Sequence, residues 1–423
     1  MKNFLIIWVG ELVSSIGSGM TAFALSIYVY QLTGSVTYVS LITLLAFMPT
    51  VLLSPLGGIL ADRYDRRLLM ICGDVFSGLG VLYILFNLKM GNQGILPILI
   101  GVSISSIFVS LMEPAYRATV SDLLTQEEYG KASGMVQMAG NAKYLISPAL
   151  AGLLLHISDI SLILALDFGT FIITVTSIFI ARSHMQKPMK KETKSSLKKE
   201  FQEGFQVVSK NKEIRSLIMI MTLVCFFLGF IQTLTAPMIL AVSDAKTVGY
   251  IESFCAAGML VSSIFIGIFG IKNNGYRKIL MISAVLCGLF MALVGVKTNL
   301  YFVSLMLFMF FLTIPFINSC AEVLLRSNIP NELQGRVWGL VSLLTQTGMI
   351  IAFASCGVIA DAVFEPMFQD SGFLTNSIGR IIGIGQGRGI GFMLILSGIG
   401  MILSMFVLGR SRGSKTINIE PKQ

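Results

Sequence analysis

Long, uninterrupted apolar runs recur along this 423-residue chain and constrain its fold more than any other feature. Each run is about 20 residues long, which is the length that an α-helix needs to cross a bilayer. Within a bilayer the backbone must satisfy its own hydrogen bonds, so only helices and closed barrels span it. Because the runs are continuous and do not alternate, they predict helices. A composition of 54% hydrophobic and 13% charged residues also argues against a water-soluble fold.

Turn residues and charges between the apolar runs predict twelve membrane spans in an all-α protein with two six-helix halves. The expected bounds of spans 1 to 12 are 4–31, 36–61, 68–88, 95–120, 131–156, 161–181, 214–242, 248–271, 279–296, 300–328, 336–364 and 390–408. The corresponding domains are an N-terminal bundle, a basic cytoplasmic linker, a C-terminal bundle and a cytoplasmic tail, at residues 1–181, 182–213, 214–409 and 410–423.

The distribution of positive charge predicts the orientation of the chain. The net charge is +9, and most Lys and Arg residues fall in alternate loops. Cytoplasmic loops carry such an excess, so both termini and the linker are expected in the cytoplasm, beside anionic lipid headgroups. Placement of the basic residues between membrane spans argues against nucleic-acid binding. The expected exceptions on the outer side are Lys89, Lys246, Lys297, Arg380 and Arg388, and Lys143 lies within a span.

The linker contains a pattern typical of an amphipathic surface helix. Leu197, Phe201, Phe205 and Val208 recur at helical spacing among basic residues. Two interpretations are open, namely a lipid-facing connection between the halves and a regulatory element.

An internal repeat supports the two-half organisation. Residues 126–134 read QEEYGKASG and residues 331–339 read NELQGRVWG, and each segment joins the fourth span of its half to the fifth. Paired six-helix repeats are typical of secondary transporters that handle substrate between the halves.

Neither cysteine nor histidine predicts a metal, cofactor or catalytic site. The six cysteines lie inside apolar runs and lack C-x-x-C spacing, while His156 and His184 are far apart. No nucleotide-binding G-x-x-x-x-G-K-[ST] segment occurs. We therefore expect a protein that is not an enzyme and needs no cofactor.

The loop between spans 2 and 3 carries the most specific motif. Residues 58–67 read GILADRYDRR, which resembles motif A of the major facilitator superfamily, with Asp65 in place of the usual Gly. Asp at this position is common in the drug:proton antiporter branch that includes macrolide efflux proteins, and Ser147-Pro148-Ala149 in span 5 is similar to that branch as well. The resemblance covers essentially the whole chain. It implies a bacterial plasma-membrane protein that exports amphipathic small molecules by alternating access, in exchange for protons, and we expect a monomer.

The size, charge and hydrogen-bonding capacity of three motif residues suggest a role for each. Gly58 is expected to let span 2 approach a neighbour closely. Asp62 is expected to accept hydrogen bonds from the open N-terminus of span 11, near Arg336. Arg66 is expected to pair with an acid at the end of span 4, such as Asp122. Such contacts would form a gate between the halves; the alternative is a solvated basic loop that only sets topology.

Three further residues near the motif have simpler expected roles. Arg63 and Arg67 are expected to act as topology signals. Asp74, early in span 3, is expected to support the motif A loop.

Ionisable side chains inside spans are costly, so each is a functional candidate. Glu11 lies roughly 10 Å into span 1 and Lys143 roughly 18 Å into span 5, at 1.5 Å per residue. The family resemblance makes these spans neighbours. The two charges are therefore expected to form either a structural salt bridge or a proton and substrate site. Glu113, which shares a helix face with Arg117, is a third candidate for coupling.

Two other functions stay open at this point. One is uptake or facilitated diffusion of a small nutrient, although only Trp8 and Trp338 are present and both lie near span ends. The other is a non-transporting membrane sensor or scaffold, although the chain has no large polar domain for signalling.

Overall fold

The structure is a computed structural model that describes residues 2–124, 128–182, 205–271, 275–329, 334–369, 372, 374–375 and 377–410. Most of the predicted linker and the tail after residue 410 lie outside the described residues. The side chains of Asp62, Asp122 and Arg336 also lie outside them, so their predicted gating contacts remain predictions.

Helices make up the described chain almost entirely. Their bounds are α1 Lys2–Thr33, α2 Val36–Arg63, α3 Arg66–Lys89, α4 Ile95–Asp122, α5 Tyr129–Leu145, α6 Ser147–Ile157, α7 Ile160–Arg182, α8 Lys212–Leu240, α9 Ala245–Phe269, α10 Tyr276–Val294, α11 Leu300–Asn328, α12 Gln334–Ile359, α13 Glu365–Met367, α14 Gly379–Ile382 and α15 Arg388–Arg410. A π-helical turn, Ala360–Phe364, joins α12 to α13.

Within the described ranges, 11 helices are long and apolar enough to cross a membrane. The fifth predicted span is the exception, because it is divided into α5 and α6 at Ile146. Pro148 has no N–H to donate to the carbonyl of Tyr144, which interrupts the helical ladder. The prediction of one continuous helix over 131–156 was therefore wrong. With α5 and α6 counted together as the fifth span, the predicted twelve-span fold is confirmed.

The chain forms two compact units. The first contains Met1–Lys194 with Ser243–Ser253, and the second contains Ser195–Val242 with Phe254–Gln423. In the first unit α3 packs on α4 and α7, while α1 packs on α5, α6 and α7. In the second unit α10 packs on α11 and α15, while α8 packs on α12 and α15. Equivalent spans thus pack in the same pairs, as expected for a sequence repeat.

The first turns of α9, up to Ser253, belong to the first unit because they pack tightly on α6. A Cβ atom at Gly152 would lie only 2.7 Å from the carbonyl oxygen of Ala245, and the Ala149 N–H donates to Ser253 Oγ at 3.0 Å. Asp244 precedes α9 and accepts from the N–H and hydroxyl of Thr247. These hydrogen bonds hold the pKa of Asp244 below its usual value.

Close packing of α2 depends on Gly57 and not on Gly58. A Cβ at Gly57 would meet the carbonyl oxygen of Ser110 at 2.8 Å and Pro114 Cγ at 3.1 Å, whereas a Cβ at Gly58 would meet nothing within 4 Å. Among the described residues, the close approach of α2 is therefore made at Gly57, next to the predicted Gly58. Adjacent helix positions point about 100° apart, so only one of them faces α4.

We expect Gly57→Ala to lower the free energy of unfolding by about 1–3 kcal/mol, because α2 and α4 must separate to admit the methyl group. Gly58→Ala is the matched control and should leave stability unchanged or slightly higher, since Ala favours helix. Thermal melting of the detergent-purified variants measures both effects. Equal melting temperatures for the two variants would contradict the packing described here.

Candidate functional site

The motif A loop is a tight connection between α2 and α3. Only Tyr64 and Asp65 separate the two helices, and the Asp65 side chain accepts from the N–H of Arg67 at 3.0 Å. Asp65 is thus the N-cap of α3, and a carboxylate there satisfies an N–H that would otherwise lack a partner. This explains why Asp is suitable at a position where the family motif has Gly.

Arg66 ties three helices together at this loop. Its Nε donates to the carbonyl of Ala61 at 3.0 Å, and its Nη1 donates to the carbonyl of Ala118 at 3.1 Å. Arg66 therefore reaches the last turns of α4, where its contact was predicted. The contacts seen are to backbone carbonyls, while the proposed partner Asp122 has its side chain outside the described structure.

The other two arginines of the motif differ from each other. Arg63 is exposed at the end of α2, which agrees with a topology signal. Arg67 is only 9% exposed, so the expectation of a solvated charge was wrong for this residue.

The second unit uses its equivalent arginine differently. Residues 277–281 read RKILM where residues 66–70 read RRLLM, so Arg277 corresponds to Arg66. Its Nη1 donates to Glu213 Oε2 at 3.1 Å. Glu213 lies in the first turn of α8, just after the N-cap Asn211. In the second unit, an ion pair thus joins α10 to α8. In the first unit, hydrogen bonds from Arg66 to backbone carbonyls join α3 to α2 and α4.

Asp74 does not support the motif loop as expected. It lies in the third turn of α3, is completely buried, and neither carboxyl oxygen has a hydrogen-bond partner in the described structure. Asp74 therefore belongs with the intramembrane charges and not with the cytoplasmic loop.

Five helices of the first unit each carry one ionisable side chain within a predicted span. We call these side chains the carboxylate–lysine cluster: Glu11, Asp74, Glu113, Lys143 and Asp167. Glu11 is half-buried on α1, which packs on α5 and contacts α4, the helices of Lys143 and Glu113. The three residues predicted for coupling thus share one region. In the described part of the chain, however, Glu11 and Lys143 make no direct ion pair.

Lys143 packs against α1, since a Cβ at Gly19 would lie 2.9 Å from Lys143 Cγ. Asp167 is 1% exposed and accepts from Ser18 Oγ at 3.3 Å. Gly17 leaves room for it, since a Cβ there would lie 2.8 Å from Asp167 Oδ1. Asp167 is also visible in the sequence as an acid in the middle of an apolar run.

Glu113 forms an ion pair on the surface of α4. Its Oε1 lies 2.8 Å from Arg117 Nη2, and the side chains are 52% and 67% exposed respectively. Glu113 and Arg117 therefore share one face of α4, as predicted. An exposed pair of this kind contributes little to stability, so it is free to exchange partners.

Two further acids lie outside this cluster, and the first of them, Glu252, was missed from the sequence. Glu252 is half-buried in α9 and has no hydrogen bond or ion pair with any described residue. Glu365 in the second unit accepts from the N–H groups of Gly387 and Ile390 at 3.1 and 2.9 Å, so it caps the start of α15. Nearby, Arg388 donates to the carbonyl of Gly295 at 2.7 Å. This arrangement has a structural role in holding the helix terminus.

Among the described residues, no group of His, Cys, Asp and Glu side chains is arranged to hold a metal ion. The geometry is that of a helical membrane protein with ionisable groups inside its first unit. A sequence profile of the Major Facilitator Superfamily matches residues 7–353. The chain belongs to the Major Facilitator Superfamily.

Known members of the superfamily resemble this chain over most of its length. Macrolide efflux protein A of Streptococcus pyogenes is 27% identical over 370 residues, covering 85% of this chain and 90% of that protein. The uncharacterized MFS-type transporter YfiS of Bacillus subtilis strain 168 is 24% identical over 405 residues, covering 91% and 93%. The crystal structure of a bacterial homologue of the iron transporter ferroportin matches with a TM-score of 0.68, at 14% identity, over 97% and 98% of the chains.

Membership in the superfamily confirms several expectations together. The protein is a multi-pass membrane transporter and not an enzyme. The predicted resemblance to macrolide efflux proteins is confirmed at modest identity. The low identity to the solved structure means that it supports the fold alone.

Proposed function

We propose that this transporter exports an amphipathic small molecule from the bacterial cell and is driven by inward movement of protons. The carboxylate–lysine cluster carries the proposal, because ionisable groups inside membrane spans mark ion and proton pathways. The similarity to macrolide efflux protein A supports export as the direction and an amphipathic compound as the substrate.

The proposal includes a cytoplasmic gate and an orientation. Motif A acts as the gate, with Asp62 accepting from the N-terminus of α12 near Arg336 in one state and releasing it in the other. Both termini and the linker lie in the cytoplasm, where their basic residues contact anionic lipids. The transporter works as a monomer, with bundles at residues 1–181 and 214–409.

Efflux is tested by measuring accumulation of a radiolabelled macrolide in cells with and without the protein. We expect lower accumulation in expressing cells and loss of this difference when a protonophore collapses the proton gradient. A difference that survives the protonophore would contradict proton coupling. Higher accumulation in expressing cells would contradict export and favour uptake.

The gate is tested by Asp62→Asn, which keeps the side-chain shape but removes the charge that favours a helix N-terminus. We expect normal membrane insertion and lost export. Asp65→Asn is the matched control, because it removes a charge from the same loop while Asn still caps α3. Its export should stay near the wild-type rate. Normal export by Asp62→Asn would leave the loop as a topology signal only.

Coupling is tested by Glu11→Gln, alone and combined with Lys143→Ser. Removing one member of a buried charge pair is costly, whereas removing both is often nearly neutral. If Glu11 carries the proton, the double variant should be stable and still exchange substrate downhill, but should lose export against a gradient. Recovery of proton-driven export in the double variant would instead show that the charges only support packing.

A further inference from the structure

The contact between α1 and α7 contains a group of polar side chains inside the membrane spans. Asp167 on α7 is 1% exposed, and both Gly17 and Ser18 on α1 lie against it. A Cβ at Gly17 would lie 2.8 Å from Asp167 Oδ1 and 2.6 Å from Thr170 Oγ1. The lack of a side chain at Gly17 thus lets a carboxylate and a hydroxyl approach the backbone of α1.

The contacts of the Asp167 carboxylate are longer than hydrogen bonds to a charged group usually are. Ser18 Oγ lies 3.3 Å from Asp167 Oδ1, and Thr170 Oγ1 lies 3.4 Å from the same oxygen. Hydroxyl donors approach an ionised carboxylate to about 2.5–2.7 Å. Among the described residues, Asp167 also makes no ion pair with a cation. The protein itself therefore compensates a negative charge at Asp167 only weakly, which is costly inside a span.

The Thr170 hydroxyl uses its proton elsewhere. A hydroxyl has a single proton to donate. Thr170 Oγ1 lies only 2.7 Å from the backbone carbonyl of Asp167, which is the usual contact of a threonine with its own helix. With the proton directed there, a lone pair of Thr170 Oγ1 faces Asp167 Oδ1. Two acceptors that face each other repel unless a proton or a cation lies between them.

Thr21 supplies a further oxygen on the same face of α1. It is 7% exposed, and its hydroxyl has no hydrogen-bond partner among the described residues. Helix positions turn by about 100° per residue, so Thr21 points between the directions of Gly17 and Ser18, one turn further along α1. A buried hydroxyl without a protein partner is rare and calls for a water molecule or an ion to bind it.

The spacing of these oxygens suits a cation better than a proton. Oxygen ligands lie about 2.3–2.6 Å from a calcium ion, so neighbouring ligands at right angles are about 3.3–3.7 Å apart. The separations of 3.3 and 3.4 Å from Asp167 Oδ1 agree with this spacing. One carboxylate supplies one negative charge, and the hydroxyls are neutral. The charge therefore favours a monovalent ion, and sodium has nearly the same ionic radius as calcium.

Lys143 does not take the place of such an ion. A Cβ at Gly19 would lie 2.9 Å from Lys143 Cγ, so the lysine stem packs on α1 at Gly19. Gly19 points about 160° away from Thr21 around the helix axis. Among the described residues, Lys143 makes no ion pair with Asp167.

We propose that the Asp167 carboxylate and the hydroxyls around it bind a sodium ion between α1 and α7. The hydroxyl ligands belong to Ser18, Thr21 and Thr170. Carboxylate and hydroxyl oxygens suit hard cations and differ from the His and Cys ligands of transition metals. The ion offsets the buried charge of Asp167 and links the two helices, and this does not depend on whether the transporter uses protons.

The site is tested by binding of radioactive sodium to the purified transporter in lipid nanodiscs, at constant pH and ionic strength. We expect saturable binding, and a higher melting temperature in sodium chloride than in choline or potassium chloride, because the larger potassium ion forces the oxygens apart. Asp167→Asn should abolish binding. Thr21→Val keeps the side-chain shape but removes the oxygen, and should weaken binding by about tenfold or more.

Thr174→Val is the matched control for the hydroxyl variants. Thr174 lies one turn from Thr170 in the same helix contact, but it donates to the carbonyl of Gly10 at 3.1 Å. Its replacement should leave sodium affinity unchanged, and a loss as large as that of Thr21→Val would count against the proposed ligands.

Two further results would overturn the inference. One is a wild-type protein that binds no sodium, which needs no variant and would leave Asp167 as a protonated carboxylic acid. The other is wild-type sodium affinity in Thr21→Val and Asp167→Asn, because the ion would then bind elsewhere. If Asp167→Asn does not fold, Thr21→Val alone decides. Equal stabilisation by sodium and potassium would show a general effect of salt and not a site.

Discussion

The free-energy cost of charge in a low-dielectric interior is the constraint on which the rest of this structure depends. It requires the backbone to form helices, because every N–H and C=O inside the bilayer needs a partner. It also makes every acid or base within a span costly unless a second group compensates for it. The first unit meets this requirement for Asp167, which accepts from Ser18, whereas neither carboxyl oxygen of Asp74 has a hydrogen-bond partner among the described residues. The same constraint therefore accounts both for the helical fold and for the small number of ionisable groups buried in it.

The two units share a packing scheme but differ in how they hold their cytoplasmic loops. Arg66 binds backbone carbonyls of α2 and α4, whereas its counterpart Arg277 binds the side chain of Glu213. Carbonyl contacts do not depend on the ionisation of a partner, whereas an exposed ion pair is screened by salt. The contact made by Arg277 is therefore expected to be more sensitive to salt than the contacts made by Arg66.

Much of the fold was predictable because apolar run length and loop charge are properties of the sequence alone. The spans and their grouping follow from those two signals. Rotation of each helix about its own axis does not, which is why Gly58 was chosen where Gly57 makes the contact. The same limit applies to Asp74, whose position near the loop in sequence suggested a loop role. Its side chain is instead completely buried, and only three-dimensional packing shows this.

The division of the fifth span at Ile146 has a mechanical consequence. Pro148 gives no hydrogen bond to the carbonyl of Tyr144, and the N–H of Ala149 is directed to Ser253 instead of to the preceding turn. Hydrogen bonds that would resist bending are therefore already missing at this point. A change of angle at Ile146 would displace the start of α5 at Tyr129 most, whereas Lys143, only three residues from the bend, would stay almost fixed relative to α6.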